Sequence, residues 1–392
     1  MLKKEYIINS YLRQMVTAGA SDFFITVDCP PSMKIEGKIV ALDAPPLDEG
    51  EIKVLVDDLL NEDQQDEFHS TLELNTAIAL EGGERFRISM FKQKHSTGIV
   101  VRLIKTNIPS FEDLGIPQIY KKFIMRKRGL FLLVGATGSG KSTSMAVMLD
   151  YKNTNDSGHI LTIEDPIEYV HQHKACIFTQ REIGVDTYSY GIALKNALRQ
   201  SPDVVVIGEI RDRETMENAL LFCETGHLVV ATLHANNSSQ AIERIVNLFP
   251  EELHKQTLTT LSQNLVGIAS QRLVEGTSGS LALAYDILIN EGLAKHLIEE
   301  GNIKDLKEAQ KKNIDQGMIT FDQCLFGMIK SGEITYDVAM READNPSNLR
   351  LEINQERTLG ATEKSADNIT QVYKDISQNE SSQGGTLSEP DF

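Results

Sequence analysis

The chain has 392 residues, with 39 Lys+Arg against 56 Asp+Glu for a formal charge of −17, and 41% of it is hydrophobic. A single core rarely grows past about 250–300 residues, so more than one domain is expected, and the apolar share excludes a fibrous or wholly disordered polymer. The acidic surplus repels phosphodiester backbones and disfavours a general nucleic-acid binder. No run approaches the ~20 apolar residues of a membrane span, and the opening residues carry no secretory leader. Cys29, Cys176, Cys223 and Cys324 lie far apart and form no CxxC pair. Idle thiols in a reducing cytoplasm are therefore expected, with no zinc and no disulfide.

In chain order, Ile7, Ile8, Tyr11, Leu12, Met15 and Val16 recur at helical spacing, with Gly19 as a stop. Phe23–Val27 and Met33–Leu42 read as strands around the Pro30–Pro31 turn, and Glu51–Leu60 reads as a helix. Period-two alternation then recurs at Leu72–Ile78, Phe86–Met90 and Ile99–Leu103, which argues an antiparallel sheet. Residues 1–106 are read as one small α+β domain and 107–118, with Pro109, Gly115 and Pro117, as an interdomain linker able to act as a hinge. From Leu130 short apolar runs (Leu130–Val134, Ile160–Ile163, Val204–Ile207, Leu228–Thr232) alternate with helical stretches, the pattern of a parallel α/β sheet over 119–290. Residues 291–354 read as helical. The tail 355–392 holds seven acidic and three basic side chains with little apolar material, so disorder is expected there.

Gly135, Ala136, Thr137, Gly138, Ser139, Gly140, Lys141, Ser142 and Thr143 fit G-x-x-x-x-G-K-[ST] directly after a strand. Glycines let successive backbone N–H groups turn inward around phosphates, and the following helix offers its N-terminus to the same anion. Lys141 is expected on the β/γ-phosphates of a bound nucleotide and the Ser142 hydroxyl on Mg²⁺. Asp203–Glu209 is a buried strand ending in a carboxylate, and Ile160–Glu168 is a second strand ending in acids, with Pro166 fixing the turn. Hydrolysis needs one carboxylate to orient or deprotonate water. Either Glu164 or Glu209 could serve; Glu164 is favoured as base and Glu209 as metal ligand, while Asp165 and Glu168 are weaker candidates. His227 and His234 bracket the strand at Leu228 and are both catalytic candidates, His234 as a group that could contact the γ-phosphate or transmit its presence. Arg85, Arg87 and Arg102 alternate with apolar strand residues and are candidates to enter a neighbouring subunit's site.

Taken together, the loop at Gly135–Thr143, the acidic segment Ile160–His171, the strand Asp203–Glu209 and the segment Gly226–His234 resemble the Walker A, Asp-box, Walker B and His-box series of the secretion and pilus ATPase superfamily. Arg85–Phe91 resembles its RFRVNxF stretch. The resemblance implies a PAS-like N-terminal domain, a RecA-like ATPase domain, a ring of six subunits, and Arg87 and Arg102 as cross-subunit ATP contacts. The tetracysteine zinc insert of assembly ATPases is absent, which is similar to the PilT/PilU retraction branch. Gln180–Thr187, Arg213–Glu217 and Ala231–Asn237 are similar to the PilU side of it, and Lys295, His296 and Glu299 depart from the AIRNLIRE motif of PilT. That resemblance implies an ATP-hydrolysing motor of pilus retraction and twitching motility. It would act with a PilT-like ATPase on a PilC-like inner-membrane platform protein, peripheral to the membrane through protein contacts. The alternatives are a nucleotide-sensing partner of a PilT ring that hydrolyses little itself, and a DNA-transfer ATPase, which would need basic pore-facing segments that the sequence does not offer.

Overall fold

The computed structural model describes residues 6–355. The acidic tail expected over 355–392 falls, apart from its first residue, outside the described residues. The chain divides into two compact units: one runs up to Arg272 and adds Asp286–Met318, and the other comprises Leu273–Tyr285 and the residues from Ile319 on.

The first unit opens with α1 (Asn9–Thr17), β1 (Asp22–Ile25), β2 (Ser32–Ile35), β3 (Lys38–Ala41), α2 (Glu49–Leu59), α3 (Glu62–Thr71), β4 (Glu73–Ala79), β5 (Arg85–Gln93) and β6 (Ser96–Ile104). The six strands pair antiparallel in the order β3-β2-β1-β6-β5-β4. The stretch expected as one strand over Met33–Leu42 is two, because Glu36 and Gly37 take left-handed backbone angles and fold the chain back on itself. Along β5 the burial alternates: Phe86, Ile88 and Met90 join a core with Ile8, Leu12, Phe23, Ile52 and Phe68, while Arg85 and Arg87 face the other way. Helix α3 was not foreseen. It buries only Phe68, and its start is set by a capping box in which Asn61 and Gln64 satisfy each other's backbone N–H groups.

Residues 107–118 contain no strand, yet they are ordered: Ser110 and Asp113 exchange side-chain-to-backbone hydrogen bonds of 3.0 and 3.1 Å, and Phe111 and Ile116 are buried. Then follow α4 (Ile119–Ile124), β7 (Gly129–Val134), α5 (Lys141–Asn155), β8 (Gly158–Glu164), β9 (Cys176–Glu182), α6 (Tyr190–Ala197), β10 (Val204–Ile207), α7 (Arg213–Glu224), β11 (Leu228–Leu233), α8 (Ser238–Val246), α9 (His254–Asn264), β12 (Leu265–Glu275), β13 (Leu281–Ile289), α10 (Gly292–Glu300), α11 (Leu306–Lys312), α12 (Phe321–Ser331) and α13 (Tyr336–Glu342). The seven-stranded sheet has the order β13-β12-β7-β11-β10-β8-β9, and its six strands from β12 to β9 run parallel to one another. Strands β7, β10 and β11 are buried along their whole length, as covered parallel strands must be. Consecutive strands β7 and β8 are separated by β11 and β10, so the connection through α5 opens a crevice at the carboxyl ends of the strands, where ligands of open α/β sheets bind.

The C-terminal helices are not one region, as 291–354 was read. Helices α10 and α11 count with the first unit and α12 and α13 with the second, because the β12–β13 hairpin tip, Leu273–Tyr285, has its contacts with the latter. In that second unit Gly276 closes the hairpin onto Ser280, Thr277 N donates to Glu333 O at 2.9 Å, and Val274, Phe321, Leu325, Ile334, Val338 and Leu349 form the core. Residues 346–355 are helical. No helix among the described residues is long and apolar enough to cross a membrane.

Candidate nucleotide site

The glycine-rich loop runs from the buried end of β7 into α5. Gly135 has φ +152°, and a Cβ there would collide with the Ser139 hydroxyl and lie 2.6 Å from the Gln271 carbonyl, so a side chain would fill the cradle. Gly140 closes the loop in left-handed conformation as the N-cap of α5, which leaves the first-turn N–H groups without a side-chain cap and aimed at the loop. Lys141 is buried, and its ammonium donates to the Gly135 and Ala136 carbonyls at 2.8 Å each. Burial pulls its pKa below the usual lysine value, while Glu209 and Glu168 act in the opposite direction. A loop that already folds its lysine inward and presents free amides is suited to a polyphosphate.

The acidic residues come to the same place by two strands. Gly208 follows β10, and a Cβ there would meet the Glu164 Cα at 3.1 Å and the Tyr190 hydroxyl at 2.9 Å; glycine lets the two strand ends close on each other. Glu164, the last residue of β8, is only 8% exposed. Its Oε1 accepts from Thr162 Oγ1 at 2.6 Å and from Gln180 Nε2 at 3.4 Å. Burial pushes its pKa up to about 7, against the pull of those two donors. A carboxylate that titrates near neutrality is matched to taking a proton from water. Glu209 differs: its two oxygens meet His234 Nε2 at 3.1 Å and Arg211 at 2.7 Å. Arg211 also reaches Asp165 at 3.4 Å.

His234 stands just past β11, and its Nδ1 lies 3.2 Å from the Gly135 carbonyl, so one imidazole bridges the loop and Glu209. A cavity of about 420 Å³ opens here, lined by Ala136, His234, Asn236, Gln240 and Arg244. His227 does not belong to the site. It precedes β11, its carbonyl accepts from Gly129 N at the start of β7, and its ring packs edge-on against Phe222 while Nδ1 bonds the Phe222 carbonyl and Thr225. Six residues of strand at about 3.3 Å each separate it from the cradle, so within this chain the structure does not bring His227, a catalytic candidate, to the loop.

Arg87 and Arg102 are cross-strand partners on β5 and β6. They line a cavity of about 280 Å³ together with Thr143, Pro166, Glu168 and Tyr169 of their own chain. Within this chain they face the helix that begins at the cradle, and Arg102 is held at 2.7 Å by Asp22. Tyr169, inside the Ile160–His171 segment but not among the candidate site residues, joins the site through a 3.1 Å hydrogen bond to Thr143. Gln180, at the start of the Gln180–Thr187 segment, and Arg211, two residues past Asp203–Glu209, also carry no site reading in the sequence.

For Mg²⁺, Ser142 and Glu209 offer a hydroxyl and a carboxylate, the hard oxygen donors that ion prefers. Among the described residues no cluster of three or more His, Cys, Asp or Glu is arranged to cage a metal ion.

A sequence profile described as Type II/IV secretion system protein matches residues 4–324. The chain belongs to that family. Type IV pilus ATPase PilU of Pseudomonas aeruginosa is 48% identical over 93% of this chain and 95% of its own length. Type IV pilus retractation ATPase PilT of the same organism is 38% identical over 84% of this chain and 96% of its own. The crystal structure of the pilus retraction motor PilT with bound ADP superposes with a TM-score of 0.80 at 39% identity, covering 88% of this chain and 99% of that one. This family member is thus a PilT/PilU-like ATPase.

Proposed function

We propose that this ATPase is a type IV pilus retraction motor of the PilU kind, cytoplasmic and attached to the inner membrane only through protein partners. The observation that carries the reading is the convergence of Gly135, Lys141, Glu164, Glu209 and His234 at the carboxyl ends of β7, β8, β10 and β11. That convergence supports a hydrolytic site over a passive nucleotide sensor. A polar cradle alone would bind; a buried carboxylate titrating near 7 beside it supplies a base.

In this reading the loop amides and Lys141 hold the phosphates. Glu164, oriented by Thr162 and Gln180, takes the proton of the attacking water. Mg²⁺, held by Ser142 and Glu209, would neutralise charge on the phosphates. His234 reports the occupancy of the cradle to Glu209. Arg87 and Arg102 supply positive charge from the small domain, which this reading takes as PAS-like beside a RecA-like larger sheet. Six subunits would form the ring, and nucleotide-driven closure of the two sheets would turn a PilC-like platform protein together with a PilT-like ATPase.

Steady-state ATPase assays of Lys141→Ala and Glu209→Ala test hydrolysis: loss of turnover in both is expected, and undiminished turnover in both would sink the motor reading. Solution mass with a non-hydrolysable ATP analogue tests the ring, for which a stable monomer or dimer is the adverse result. Assay of the protein alone and then mixed with PilT separates a motor from a regulatory partner, since activity only in the mixture favours the latter.

A further inference from the structure

The turn Asp165–Tyr169, which follows Glu164, is gripped from the small domain at two points. One is main-chain: Val170 N donates to the Lys105 carbonyl at 3.0 Å, just past β6, and the Lys105 ammonium lies 5.7 Å over the Tyr169 ring. The other runs through a side chain that the hydrolytic scheme does not use. Glu182 ends β9 and is the register partner of Glu164 on β8, so the two carboxylates stand side by side on one face of the sheet. Its side chain is 3% exposed. Its Oε2 accepts from Ile167 N, in the middle of the turn, at 3.4 Å. The Glu182 backbone N–H donates to Asp186 Oδ2 at 2.9 Å, and Ile183 N donates to the Glu164 carbonyl at 2.9 Å. The cation facing this pair comes from the other sheet: Arg85 Nη2 lies 3.6 Å from Asp186 and 3.9 Å from Glu182.

We infer that Arg85, acting through Glu182, is a positioning pair that lets Glu164 work only while the small domain is docked on the ATPase sheet. A carboxylate this buried is tolerated as a charge only while a cation and hydrogen-bond donors face it. With Arg85 in place, Glu182 holds Ile167 N and fixes the turn beside Glu164. When the small domain swings away, Arg85 leaves with β5, the buried anion loses its partner, and the turn loses the anchor that sets the base. Burial raises the Glu182 pKa, and Arg85 and Arg87 are the cations that counter that rise, in keeping with the geometry. Hydrolysis is thereby conditional on domain position, which a motor needs if it is not to spend ATP while open. The inference rests on Glu164 as base; Arg85 and Glu182 touch no reacting atom in it.

The test is a double-mutant cycle in the full-length chain, reading kcat and KM for ATP separately. Arg85→Ala is expected to lower kcat about tenfold with KM changed less than about twofold, and Arg85→Lys to recover most of that loss. In Glu182→Gln, whose neutral amide needs no cation, adding Arg85→Ala is expected to change kcat by less than about twofold. Additive losses, or a raised KM with kcat intact, overturn the inference, the latter by making Arg85 an ordinary nucleotide contact. Should Glu182→Gln fail to fold, Arg85→Lys against Arg85→Ala decides, and equal losses in the two overturn it. Glu164→Gln in the same assay keeps the two ideas apart. Retained turnover there removes the base, whereas lost turnover with an additive cycle removes only the coupling.

Discussion

The two ends of β11 carry the same residue type and opposite chemistry. At the carboxyl end His234 meets a main-chain carbonyl of the phosphate loop and the carboxylate of Glu209. At the amino end His227 meets the Phe222 carbonyl, the Thr225 hydroxyl and an aromatic edge. The difference lies in strand direction. In a parallel sheet every strand ends on the same side, so loops, helix N-termini and acids collect there, and the opposite side receives only the returning helix ends. A histidine therefore takes its role from the end at which it stands.

Substitutions at the two ends should sort accordingly. The largest effect is expected at Lys141→Ala, about a thousandfold on kcat, because its ammonium is the one cation within the loop itself and phosphoryl transfer depends on charge stabilisation. Glu164→Gln should cost about a hundredfold or more. With the native residue, kcat should rise with pH through about 7 and then level, since burial favours the protonated acid below that value and the base exists only above it. A pH–rate profile checks this, and the inflection should vanish in Glu164→Gln. His234→Ala removes a partner of Glu209 and should cost about tenfold, as loss of an outer partner of a functional carboxylate does. His227→Ala is the smallest: turnover unchanged, and about 1 kcal/mol of stability lost in denaturant unfolding with its hydrogen bond. A His227→Ala enzyme as impaired as His234→Ala would break the comparison between the two ends.

The carboxyl end was the more legible in the sequence. G-x-x-x-x-G-K-S after an apolar run admits few structures, and acids closing two buried strands had to lie beside it once the sheet was parallel. The antiparallel sheet was legible through period-two burial along β5. Strand β9 was not, because an edge strand with Thr179, Gln180 and Arg181 in its middle shows neither a continuous apolar run nor clean alternation. Nor was the cation at Glu182, which lies 182 − 85 = 97 positions away in another sheet. The distance of His227 from the cradle is illegible for the same reason: a symmetric bracket around a strand says nothing of which end faces the ligand until strand order is known. Helix α3 did carry a signal, the Asn61 and Gln64 capping pair, but almost no apolar periodicity to go with it.

The ordered segment between the two sheets has a practical consequence. Phe111 meets Tyr151 of α5 edge-on, with ring centroids 5.6 Å apart, and the Lys121 ammonium lies over both rings at 4.9 and 5.2 Å. Helix α5 starts at the phosphate loop, so this ring sits on the far stretch of the element that receives the nucleotide. The chain contains no tryptophan and is optically silent above the tyrosine band. Phe111→Trp would install a single tryptophan beside a tyrosine donor and a quenching ammonium. Its emission would follow, in real time and without any label, each rearrangement of the segment as ATP is bound and released.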